Sequence, residues 1–135
     1  MANYLALLDT IRTTETGDPQ KTYRAARTAG LPELVAEYLA LENIWKSCPQ
    51  AFWDLCERIS KDTGLLPLYK AAALVSLGDT HRRTHEKDLR LGYYRQAMRV
   101  ISSLGCSKEE FKYIKDRCDA GQAQAATAIQ PSPVA

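Results

Sequence analysis

The chain has 135 residues, 45% of them hydrophobic and 25% charged, with a formal net charge of +2. Such values suit one globular domain able to bury about two-thirds of its unfolded surface, and they exclude binding of nucleic acid or membranes through bulk charge. No apolar run approaches the ~20 residues of a membrane span. The first residues lack a basic segment and carry Asp9 within their apolar run, so no secretory signal is expected.

Taken in order, Tyr4, Leu7, Leu8 and Ile11 recur at helical spacing and predict a short amphipathic helix ending in the polar run 13–17. Asp18-Pro19 is a helix start, Asp as N-cap and Pro in the first turn, and Gly30 closes that second helix. Pro32 opens a third, with Leu34, Tyr38, Leu41 and Trp45 expected on one face and Val35 and Leu39 beside them. After the break at Ser47-Cys48-Pro49, Phe52, Leu55, Cys56 and Ile59 form a fourth stripe closed by Gly64, with Trp53 off the stripe and expected at an exposed edge. Ser107 with Glu110 three residues on is a capping box. It opens a last helix with Phe111, Ile114 and Cys118 expected inward. From Gly121 the chain is Ala/Gln/Pro-rich and uncharged, which predicts a tail over 121–135, helical at most near 123–128, behind a single domain over 1–120. No strand pattern and no Asn-Gly or Asp-Gly hairpin turn occurs, so the expected fold is all-α, a compact bundle or short helical-hairpin array of six to seven helices.

Residues 67–105 form the most informative stretch. Pro67 starts a nearly uncharged helix with Leu68, Ala71, Ala72, Leu74, Val75 and Leu77 on its apolar face, and the alanine run allows close approach of a neighbour. The pattern turns polar over 79–87 and apolar again at Leu89, Leu91, Tyr94, Ala97, Met98 and Ile101, with Gly105 as C-terminal cap. Leu77-Gly78, Tyr94 and Ala97 stand at signature positions of a tetratricopeptide repeat, so residues 71–104 resemble a single hairpin of that family. The resemblance implies two helices folded back on each other through the turn at 84–87. Leu74 departs from the repeat's Trp, Arg90 from its small residue and Ser102 from its closing Pro. A step of about 34 residues back lands on Asn43-Ile44 and not on a second Leu-Gly.

Candidate chemistry is sparse. His81 and His85 are four apart, a spacing that can share a metal on a helix, but they fall where a turn is expected and have no third ligand nearby; they read as solvated loop histidines. Cys48, Cys56, Cys106 and Cys118 are too widely spaced for paired zinc ligands, and Cys56 and Cys118 fall on apolar stripes. With no export signal, reduced thiols in a cytoplasmic setting are expected. Residues 22–41 have the outline of a helix-turn-helix, with Ala26 and Gly30 in place. Its second helix carries Glu33, Glu37 and Glu42, however, which phosphates would repel. No catalytic residue, metal or cofactor is expected.

Charge patterning is the remaining signal. Over 82–99 six basic residues face two acidic ones, a local net charge of +4, whereas 31–62 carries six acidic against three basic residues, a net of −3. Arg95 and Arg99 are four apart and near Tyr93, so one side of the second hairpin helix is expected to mix arginine with an aromatic ring, as interaction hot spots do. The expected function is a protein–protein interaction module, a small adaptor, inhibitor or complex subunit, and not an enzyme. Its binding residues would be Arg82, Arg83, Arg90, Tyr93, Arg95 and Arg99, with Trp53 contributing. The expected partner is a protein with an acidic surface, a second copy being one possibility given the opposite patches. A nucleic-acid-binding module using the same patch is the alternative; no membrane partner is expected.

Overall fold

A computed structural model describes residues 4–13, 17–102 and 105–128. Among them the chain is all-α, with seven α-helices, two single 3-10 turns and no strand: α1 Tyr4–Thr13, α2 Pro19–Thr28, α3 Glu33–Glu42, α4 Pro49–Lys61, α5 Pro67–Thr80, α6 Lys87–Ile101 and α7 Lys108–Ala128. No helix among the described residues is long and apolar enough to cross a membrane. The chain divides into two compact units, Met1–Asp62 and Thr63–Ala135.

Local chemistry sets the helix ends. Asp18 accepts from the backbone N–H groups of Gln20 and Lys21 at 3.0 and 3.4 Å, and Pro19 follows where no N–H is needed. At the other end of α2, Gly30 takes φ +93°, and Gly30 N–H and Leu31 N–H donate to the carbonyls of Arg27 and Ala26, which is a Schellman closure. The capping box of α7 is reciprocal: Glu110 N–H donates to Ser107 Oγ at 3.1 Å and Ser107 N–H to Glu110 Oε1 at 2.9 Å.

In the first unit α2 packs on α1 and α3, and α3 on α4. Tyr38 and Phe52 stack with ring centroids 5.9 Å apart, and Asn43 donates to Thr22 Oγ1 at 2.6 Å, tying the end of α3 to α2. The buried face of α3 is Val35, Ala36, Tyr38, Leu39 and Ala40. Leu34 and Leu41, expected inside, are half-exposed instead, because two neighbouring helices claim the other side, and Trp45 lies beyond the helix in a 3-10 turn. Glu42 is held by Arg12 at 3.0 Å.

In the second unit α5, α6 and α7 all pack on one another. Helix α5 is buried around almost its whole circumference, as its near-absence of charge requires. On α6 the buried stripe is Arg90, Tyr94, Ala97 and Ile101, so Leu89, read as apolar core, is 46% exposed. On α7 Ile114 and Cys118 face inward as expected, but Phe111 is 37% exposed. The Ala/Gln-rich stretch continues α7 without a break across Gly121 to Ala128, with Gly121 and Ala125 buried; residues 129–135 of the expected tail lie outside the described residues.

Candidate partner-binding face on α6

The residues expected to act together do not share one surface. Arg90 is only 4% exposed and belongs to the interior, a correction to its expected place on a binding surface. Its Nε donates to Tyr94 Oη at 2.9 Å, and its Nη2 donates to Gly121 O at 3.1 Å and Gln124 Oε1 at 3.2 Å. The acceptors come from one turn along α6 and from α7, which is what makes a guanidinium tolerable there. Tyr94 Oη passes the chain on, donating to Asp79 Oδ1 at 2.6 Å, while Arg117 Nη2 donates to Asp79 Oδ2 at 3.3 Å. Asp79, near the end of α5, thus accepts from α6 and α7 and links the three helices.

Tyr94 is 0% exposed and wedged between two glycines. A Cβ on Gly78 would stand 2.5 Å from Tyr94 Cε1, and one on Gly121 would overlap Tyr94 Oη and Cζ. Desolvation, reinforced by the hydrogen bond to Asp79, holds the Tyr94 hydroxyl far above the usual tyrosine range. It is therefore a fixed hydrogen-bond donor and not a nucleophile or base.

Tyr93 is separated from the arginines it was expected to join. Residues two apart on a helix point about 200° apart, so Tyr93 and Arg95 flank opposite sides of the buried stripe. The Tyr93 ring lies 5.4 Å from that of His81. His81, read as a solvated loop residue, is buried at the end of α5, with Nδ1 2.6 Å from Leu77 O and Nε2 4.0 Å from Glu86 Oε2. His85 is exposed in the turn after it. The helix ends at Thr80, before both, and no group of three metal-ligating side chains occurs among the described residues.

Arg82 and Arg83 are exposed in the α5–α6 turn, with Arg82 Nε donating to Asp79 O at 2.9 Å. Trp53 is half-buried on α4, in the other unit. Arg95 and Arg99 remain as an exposed pair one turn apart. Neither has a hydrogen-bond or ion-pair partner among the described residues. With Tyr94, Met98, Ser102 and Gln122 they line an open groove of about 560 Å³. Lys112 and Lys115 of α7 contrast with them, Lys112 being paired to Asp116 at 2.6 Å and Lys115 to Asp119 at 2.8 Å.

None of the four cysteines forms a disulfide; Cys56 and Cys118 are buried and Cys48 and Cys106 half-buried. Burial pushes the Cys118 thiol up to about 11, against a lowering influence from Arg117, and its Sγ–H points at Tyr94 O at 3.8 Å. The folded thiol keeps its proton where an unfolded one, ordinarily near 8.5, has lost it. Above that pH the unfolded state binds fewer protons, so stability falls as pH rises from roughly 8.5 toward the folded value. Urea unfolding between about pH 8 and 10 shows this decline, and Cys118→Ala flattens it; an unchanged slope in the variant would assign the decline to other groups.

Comparison with models of protein families, with curated proteins and with solved structures returns no match to this chain. Fold and surface define a small all-α protein in which a tyrosine–arginine–aspartate network links α5, α6 and α7, and in which α6 carries an exposed arginine couple without a partner among the described residues.

Proposed function

We propose that the chain is a protein–protein interaction module, a small adaptor, inhibitor or subunit, that receives an acidic surface on the outer face of α6. The observation that carries this reading is the exposed couple Arg95 and Arg99, without internal partners among the described residues and beside the half-exposed Met98. Two guanidiniums one turn apart suit bidentate pairing with carboxylates, and the thioether offers adaptable apolar contact. Arg82 and Arg83, in the turn before the same helix, extend the positive field that steers an acidic partner. The tetratricopeptide-like hairpin belongs to the same reading, since helical-repeat hairpins present helix faces for binding. Four thiols without a disulfide suit a reducing, cytoplasmic setting.

Nucleic-acid binding through this patch is less favoured. Single-strand binders stack bases on rings set among the basic residues, and Tyr93 lies on the opposite flank from Arg95 and Arg99. The test is affinity capture from an extract of the source cells with the wild-type chain and with Arg95→Glu/Arg99→Glu. A captured protein lost by roughly tenfold or more in the variant is the expected result. Equal capture by both, or tight binding of random single- or double-stranded nucleic acid in a gel shift, overturns the reading.

A further inference from the structure

We infer that the occupant of the α6 face is α3 of a second copy of this chain, a deepening that rests on the docking role proposed for Arg95 and Arg99. Helix α3 carries the complement. Glu33 is exposed and Glu37 half-exposed, one turn apart, and neither has a partner among the described residues, whereas Glu42 of the same helix is engaged by Arg12 at 3.0 Å. Half-exposed Leu34 and Leu41 stand on the same flank. Side chains four apart on a helix are about 6 Å apart, so the carboxylate couple and the arginine couple have one pitch. Laid side by side, the two helices set each guanidinium against one carboxylate and bring Met98, between the arginines, to Leu34, between the carboxylates.

The chemistry selects this occupant over a generic anion. A lone phosphate or a nucleic-acid strand satisfies the arginines but leaves Met98 without an apolar counterpart, while the Glu33–Leu41 flank supplies both kinds of contact at the matching spacing. The two surfaces are different, so the association is head-to-tail and either closes into a ring or grows into a chain. Exposed charge pairs are screened by salt, so it weakens as ionic strength rises.

Sedimentation of the full chain over about 10 µM to 1 mM, at about 50 mM and 500 mM salt, reads this directly. Wild type is expected to associate with concentration and to weaken roughly tenfold or more at the higher salt. Arg95→Glu/Arg99→Glu and Glu33→Arg/Glu37→Arg are each expected to remain monomeric, with helical content unchanged by circular dichroism because all four positions are exposed or half-exposed. Mixing the two variants restores association, since each keeps the native half that the other lacks; the fourfold charge-swapped chain also associates. A wild type that stays monomeric, association that persists in either variant, or a mixture that stays monomeric overturns the proposal. Monomeric wild type that still captures a cellular protein through Arg95 and Arg99 removes the second copy as partner and leaves the docking face standing. Loss of that capture difference as well removes both.

Discussion

Gly121→Ala is expected to destabilise the protein by about 2 kcal/mol, although the same change at Gly92, in the middle of α6, stabilises it by about 0.5–1 kcal/mol. The two glycines are both helical, so alanine improves backbone propensity equally at each. They differ in what the added methyl meets. Around Gly92 nothing lies within 4 Å of the new Cβ, and the propensity gain is kept. At Gly121 the methyl overlaps Tyr94 Oη and Cζ and stands 2.9 Å from Cε2. The ring has little room to retreat, because its other edge faces the backbone of Gly78, where no Cβ would fit, and its hydroxyl is tied to Asp79 at 2.6 Å and Arg90 at 2.9 Å. Gly78→Ala is expected to cost as much as Gly121→Ala for the mirror reason. Thermal unfolding of the three variants decides the matter, at roughly 4 °C per kcal/mol. A stabilised Gly121→Ala would mean that α7 stands farther from α6 than described.

Asp79→Ala is expected to cost about 2–4 kcal/mol. It removes the acceptor of both Tyr94 Oη and Arg117 Nη2 and leaves the buried Arg90 and half-buried Arg117 guanidiniums with no carboxylate between them. Breaking a fully buried ion pair by deleting one partner costs about 3–5 kcal/mol, and the figure is reduced here because the Asp79 side chain keeps 28% exposure. Tyr94→Phe is expected to cost about 1–3 kcal/mol, the penalty for stranding Arg90 Nε and Asp79 Oδ1. The double variant should cost less than the two singles combined by about 1 kcal/mol, because the Tyr94–Asp79 bond is lost only once. Urea unfolding of the four proteins gives the coupling. Additive losses would show that the two groups act independently and that Asp79 works through Arg117 alone.

The legible features were those in which cause and effect lie within a few residues. The Asp18 cap, the Gly30 closure and the Ser107–Glu110 box each depend on hydrogen bonds spanning no more than about five residues, and all appear where the sequence places them. The apolar faces of α4 and α5 were legible too, because Phe52, Cys56 and Ile59, and then Leu68, Ala71, Ala72 and Val75, repeat at helical spacing. The phase of the α6 stripe was not. Leu89 and Met98 are the apolar choices by composition, yet Arg90 takes the inward position because its acceptors Gly121 O and Gln124 Oε1 lie 31 and 34 residues away on another helix. Nothing near Arg90 in the chain announces them. The glycine at 121 is the one signal that could have done so, since a glycine deep in a helix marks a close approach.

From composition, caps and periodicity alone it follows that this protein is all-helical and where most of its helices begin and end, because those outcomes are settled by backbone hydrogen bonds and a 3.6-residue repeat. Which arginines are structural and which face outward was decided only when α5, α6 and α7 came together. Their packing supplies acceptors to buried Arg90 and half-buried Arg117, and turns Tyr93 onto His81. Among the described residues it offers none to Arg95 and Arg99, and burying a charge without partners is too costly for either to be anywhere but at the surface.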